Sequence, residues 1–155
     1  MASETPPRVA VVGAGAVGGY FGGMLARAGA DVTLIGRRVH VEVWKRDGLF
    51  VDSINFQERI RVAASTDVAA AADADLVLFS VKSLDTVETA KQLAHHIRSD
   101  ASIVSLQNGV DNVEHIRTAA ALDPMSHQHR DLSAEMLFVE TKRLLTVSAV
   151  VQIGV

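Results

Sequence analysis

Residues Arg8 to Gly29 read RVAVVGAGAVGGYFGGMLARAG. A short apolar strand, Val9–Val12, runs straight into Gly13-x-Gly15-x-x-Gly18, and a helix rich in small residues follows. This order is what the pyrophosphate of a dinucleotide needs. Gly13 permits the tight turn out of the strand, Gly15 lets the backbone approach the phosphates, and Gly18 lets the helix lie close to the strand. The helix N-terminus offers unpaired N–H groups and a partial positive charge to the anion. A competing reading is a membrane helix, because Val9 to Ala26 is uncharged and Gly18 with Gly22 forms a GxxxG spacing. Six of those eighteen residues are glycine, each disfavouring a helix by about 1 kcal/mol relative to alanine. A spanning helix also needs about 20 mainly apolar residues, and Arg27 follows at once. Strand, turn and helix account for the glycines; a membrane span does not.

The rest of the chain fits a globular domain. Its 155 residues suffice for one domain with a full core. An apolar content of 48% and a charged content of 21% are ordinary for a folded protein. The formal charge of −3 gives no reason to expect nucleic acid or an anionic membrane as partner. The absence of cysteine excludes disulfides, thiolate chemistry and cysteine metal sites, and suits a reducing, cytoplasmic setting. The start, MASETPPR, carries neither the basic nor the apolar region of a secretory signal. Homo-oligomerisation is left open.

Apolar patterning predicts a helix over Ala16–Ala28 ended by Gly29, a strand at Asp31–Ile35, and a short helix over Val39–Asp47 ended by Gly48. Leu49–Asp52 and Glu58–Ala63 alternate and predict a hairpin or two short strands. Asp67 is placed to cap an Ala-rich helix through Ala72. The unbroken apolar run Leu76–Val81 predicts a strand buried on both faces. Ser83 or Asp85 opens a helix to about Ile97, Ser102–Leu106 forms the next strand, and Asp111 caps a helix through about Leu122. Strands alternating with helices imply a Rossmann-type, doubly wound parallel sheet. Right-handed crossovers would bring the strand ends Val12, Ile35, Val81 and Leu106 to one edge, and ligands of open α/β sheets bind there.

The residues after those ends are the candidates. A 2′-hydroxyl is usually held by an acid about 20 residues past the glycine motif; here the second strand ends in Gly36-Arg37-Arg38. An arginine can fork onto a 2′-phosphate through charge-assisted bonds of roughly 1.5–3 kcal/mol each, or about 10- to 100-fold in NADP over NAD per bond. The competing reading is a solvated arginine pair. Lys82 can reach phosphates, a ribose or an anionic substrate, or can simply end a strand. Asn108 can donate and accept at once, while Asn108-Gly109 is also an ordinary turn. His127 and His129 lack a third ligand at metal-binding spacing, His95-His96 reads as surface, and Trp44 as packing.

GAGAVGGYFGGMLARAG, VTLIGRR, LVLFSVKS and IVSLQNGVDNVE, in that order and spacing, resemble the N-terminal domain of ketopantoate reductase (2-dehydropantoate 2-reductase) over about Arg8 to Ile116. The resemblance implies NADPH-dependent reduction of a small 2-keto acid, 2-dehydropantoate, to pantoate on the way to pantothenate and coenzyme A. It implies that the loop of Gly13, Ala14, Gly15, Ala16, Val17 and Gly18 holds the pyrophosphate and Arg37 the 2′-phosphate. Lys82 would contact the cofactor, and Asn108 both cofactor and substrate. In the family a second, helical domain supplies the general-acid lysine and most substrate contacts. The chain ends at Val155, before such a domain, so the expectation is a single domain with no catalytic residue of its own and no metal. Lys142 does not match the family's lysine.

The expected organisation is a tail at 1–7, an NADP-binding domain at 8–122 and an atypical segment at 123–155. In the last, a helix over Ser133–Leu145 with a stripe of Leu137, Phe138, Thr141, Leu144 and Leu145 would precede a delayed strand at Thr146–Ile153, with Gly154 near the nicotinamide. The other reading is a stand-alone NADP(H)-binding module without turnover.

Overall fold

The computed structural model describes residues 5–107, 111–121, 137–138 and 149–150. The chain forms β1 (Arg8–Val12), α1 (Ala16–Arg27), β2 (Asp31–Ile35), α2 (Arg38–Asp47), β3 (Leu49–Ser53), β4 (Phe56–Ile60) and β5 (Ala63–Ser65). A 3-10 turn at Val68–Ala71 leads to β6 (Leu76–Phe79), and a second at Ser83–Asp85 to α3 (Thr86–Ala94). Then come β7 (Ser102–Ser105), α4 (Asn112–Ala121), β8 (Leu137–Phe138) and β9 (Ala149–Val150).

Six strands pair in parallel in the order β5-β2-β1-β6-β7-β8. Counted along the chain within this sheet, that order is 3-2-1-4-5-6, the Rossmann arrangement. Strand order reverses at β1, so the crevice lies between the carboxyl ends of β1 and β6. The expected α/β, doubly wound parallel sheet is the fold found.

Alternation along the buried strands builds two cores. Val9 and Val11 of β1 join Leu34, Leu78, Val41 and Trp44 on the face covered by α1, α2 and the β3–β4 hairpin. Ala10 and Val12 join Val77, Phe79, Leu93, Ile103 and Ile116 on the face covered by α3 and α4. The buried residues of α1 are all glycines, Gly18, Gly19, Gly22 and Gly23, so this helix rests its backbone close to the sheet.

The described segments depart from the sequence expectations in several places. The expected strand Glu58–Ala63 divides: β4 ends at Ile60, and β5 pairs with β2 from Thr33↔Ala63 to Ile35↔Ser65. Leu137 and Phe138, expected in a helix, are strand residues paired with Val104 and Ser105. The open edge of β7 supplies hydrogen-bonding groups that outweigh the helical spacing of the apolar residues. Ala149–Val150, within the expected strand Thr146–Ile153, does not join the six-stranded sheet: it pairs antiparallel with Asp52 and Ser53 in a separate sheet ordered β4-β3-β9. The rest of the expected helix over Ser133–Leu145, with Lys142, His127, His129 and Gly154, lies outside the described residues.

Opposite the crevice, the amino edge of the sheet is tied by charge. Asp75 accepts from the Arg8 backbone N–H at 3.0 Å, from Arg8 Nη2 at 3.0 Å and from Arg98 Nη1 at 3.1 Å. These bonds, led by the Arg8 side chain, pull the Asp75 carboxyl down to about 2.

Candidate functional site

The phosphate turn is shaped from within. Gly13 has φ +82°, a backbone conformation that favours glycine. A Cβ there would lie 2.6 Å from Val81 N and Cγ1. The Gly13 and Ala14 amides both donate to the Ile35 carbonyl at 3.0 Å, lashing the turn to the end of β2. The Gly15 amide donates to Gly13 O at 2.7 Å. These amides hold the loop's own form. Gly15 is the N-cap of α1 and brings no side-chain cap, so the first-turn amides from Ala16 to Gly18 have no partner within the helix. Ala16 and Val17 are exposed, and Gly18 is buried.

The glycines of the motif do different work. At Gly18 a Cβ would collide with Ser80 Oγ and come within 2.9 Å of Val11 Cγ1; this is the close approach of helix to sheet. At Gly15 a Cβ would meet only Gly13 O, at 3.9 Å. Packing within the protein therefore leaves the space beside Gly15 open, as a cradle for a diphosphate requires.

The strand ends converge as the topology dictates. A cleft of about 780 Å³ is lined by Val12, Gly13, Ala14, Gly15, Ile35, Gly36, Arg37, Arg38 and Lys82, among others. Of the four expected strand ends, Val12, Ile35 and Val81 line it. Leu106 sits one strand further on and is buried. Arg37 is the N-cap of α2 and Arg38 its first residue, both exposed. Lys82 is exposed at the far wall, beyond Ser80 and Val81. Asn108 lies outside the described residues.

Several lining residues went unread in the sequence. Ser80 Oγ donates to Gly13 O at 2.9 Å, stitching the end of β6 to the phosphate turn. His40 stands on the first turn of α2 beside the arginines, its ring tilted on Trp44 with centroids 5.7 Å apart. Burial, and then the charge of Arg37, push the His40 imidazole below its ordinary pKa, which favours the neutral ring. Thr66 also lines the cleft, following Ser65, whose carbonyl accepts from the Gly36 amide at 3.1 Å, and Asp85 and Glu88 supply negative charge on the α3 side. The helical signal for α3 was visible; its facing of the cleft was not. Among the described residues, no group of three or more His, Asp or Glu side chains could hold a metal ion. No described helix is long and apolar enough to cross a membrane.

Comparison with known proteins gives this geometry a lineage. The family model "Ketopantoate reductase PanE/ApbA" matches residues 9–132. The chain belongs to the ketopantoate reductase family. It is 39% identical over 109 residues to the 2-dehydropantoate 2-reductase of Pyrococcus abyssi, covering 70% of this chain and 35% of that protein. Among solved structures, the PanE/ApbA family ketopantoate reductase of Ralstonia eutropha JMP134 superposes with a TM-score of 0.71 at 48% identity, covering 72% of this chain and 37% of that one. A D-mandelate dehydrogenase solved with NADH and anilino(oxo)acetate matches with a TM-score of 0.65 at 26% identity, over 72% of this chain and 36% of that one. The chain thus spans about a third of the length of the relatives it matches. The family is one of NAD(P)-dependent oxidoreductases acting on keto acids.

Proposed function

We propose that this chain is the NADPH-binding part of a 2-keto acid reductase, with 2-dehydropantoate as the keto acid and pantoate as the product. Residues 8–122 form the cofactor domain in this reading. One observation carries it above the rest: a phosphate turn with open space at Gly15, two arginines and a lysine line a single cleft at the strand-order reversal.

The donor set suits the adenosine and diphosphate parts of such a cofactor. The amides of Ala16, Val17 and Gly18 bind the diphosphate, with Gly13, Ala14 and Gly15 shaping the approach. Arg37 holds the 2′-phosphate, and β2 ends with no acid to prefer a bare 2′-hydroxyl. Lys82 contributes charge on the opposite wall. Asn108, three positions past Ser105 at the end of β7, serves cofactor and substrate, a role that rests on the family resemblance. The bound reduced nicotinamide supplies the hydride that reduces the keto carbon. The chain's own task is to bind and orient, and its cationic wall draws in an anionic ligand.

The D-mandelate dehydrogenase relative was solved with NADH, so choice between the two nucleotides is the discriminating test. Arg37→Asp should weaken NADPH binding by about 10- to 100-fold for each bond lost while leaving NADH binding little changed, as measured by titration calorimetry. Equal loss of both nucleotides would remove Arg37 from the 2′-phosphate.

A further inference from the structure

One buried amide ties together the loops that this site depends on. Gln107 follows the end of β7 and is 5% exposed. Its Nε2 donates to Val81 O at 2.8 Å and to Thr86 Oγ1 at 2.6 Å. Its Oε1 lies 3.4 Å from Ser105 Oγ, which also receives the Gln107 backbone N–H at 3.4 Å. Thr86 and Ser105 are themselves buried, at 0% and 1% exposure.

The two acceptors flank the segment that carries Lys82. Val81 precedes that lysine, and Thr86 opens α3 after it. The Val81 backbone is also the wall on which Gly13 packs. A single side chain thus fixes both ends of the Lys82 segment and the surface that seats the phosphate turn. The chemistry is specific to a primary amide, which places two donors on one nitrogen without a charge. A carboxylate would set oxygen against the Val81 carbonyl, and an apolar side chain would leave buried acceptors unpaired.

We propose that Gln107 is a positioning residue of the cofactor site, acting through Val81 on Lys82. The inference rests on the reading of Lys82 as a cofactor contact. It separates Gln107 from Asn108: the neighbour meets the ligands, whereas Gln107 faces inward and sets where the cation stands.

A double-mutant cycle on the whole chain tests this, with NADPH affinity measured by calorimetry and folding checked by urea midpoints. Gln107→Met keeps the side-chain length and removes both donors. With Lys82 present it should weaken NADPH by about tenfold, the middle of the range for groups coupled in one hydrogen-bond network. With Lys82→Ala it should weaken NADPH by less than about threefold. Thr86→Ser, which keeps the acceptor, should bind NADPH as the unaltered chain does. If Gln107→Met does not fold, Thr86→Val removes one acceptor at similar volume and runs the same cycle. Equal factors in both backgrounds, or no effect of Gln107→Met, would overturn the proposal. Undiminished affinity in Lys82→Ala would overturn it from the other side, by removing Lys82 itself from the site.

Discussion

Gly15→Ala separates binding from folding more cleanly than any other substitution in the phosphate turn. Gly15 has φ −91° and ψ −150°, an extended conformation open to alanine. The new Cβ would touch only Gly13 O, at the ordinary contact distance of 3.9 Å. Two small terms oppose each other in the folded chain. Lower entropy of the unfolded state stabilises by about 0.4–1 kcal/mol. Alanine is the poorer N-cap by an amount of order 0.5–1 kcal/mol. The net change in stability should stay within about 1 kcal/mol. The effect on the ligand is of another size. A methyl group in the open space beside the Ala16–Gly18 amides displaces a diphosphate from one or two charge-assisted bonds, each worth roughly 1.5–3 kcal/mol. NADPH affinity should therefore fall by at least about tenfold per bond. Urea unfolding and NADPH titration of the same protein read the two quantities. Unchanged affinity would place the diphosphate elsewhere, and an unfolded variant would show that the space beside Gly15 is needed for packing.

Gly18→Ala should behave in the opposite way, because its Cβ would meet Ser80 Oγ and Val11. Overpacking of this kind costs about 1–3 kcal/mol, so the urea midpoint should drop with or without nucleotide; an unchanged midpoint would contradict the close approach of α1. At the other edge of the sheet, Asp75 titrates near 2 when folded against an ordinary 3.8. A depressed carboxyl gives stability that is complete above its ordinary pKa and lost as pH falls from there through the folded value. Urea midpoints measured between pH 6 and pH 2 should show an acid-dependent loss that Asp75→Asn diminishes; identical profiles would dismiss the Arg8–Asp75–Arg98 cluster as a source of acid sensitivity.

The half of the fold nearest the phosphate turn was legible because each boundary there carries a strong local signal. β1 runs into glycines, and β2 was read to its observed limits, Asp31–Ile35. Gly48 ends α2 with its own amide bonded to Trp44 O. Asp67 caps its 3-10 turn through the Ala69 amide at 2.9 Å, as its position before an Ala-rich run implied. β5 escaped notice because Ala63-Ala64-Ser65 has no pattern of its own; it is a strand only because β2 offers a parallel partner. The expected strand Leu76–Val81 stops at Phe79, where Ser80 turns its hydroxyl onto Gly13, a partner 67 positions away. Leu137 and Phe138 show the same limit, since the apolar spacing around them fits a helix and the β7 edge decides otherwise.

The site divides along similar lines. The strand-end rule placed Arg37 and Lys82 on the cleft with the phosphate turn, because topology alone fixes which residues follow the carboxyl ends. It did not mark Ser80 or Gln107, whose importance lies in bonds to distant loops. Nor did it mark His40, which reaches the cleft by standing on the first turn of α2. A polar residue interrupting or closing an apolar strand, as Ser80 and Gln107 do, was the available signal.

The most direct measurement is the backbone-amide NMR footprint of saturating NADPH on this chain. The largest shifts should fall on Ala16, Val17, Gly18, Arg37 and Lys82. Shifts centred on the Asp75 edge, or none at all, would contradict a dinucleotide seated where β1 passes into α1.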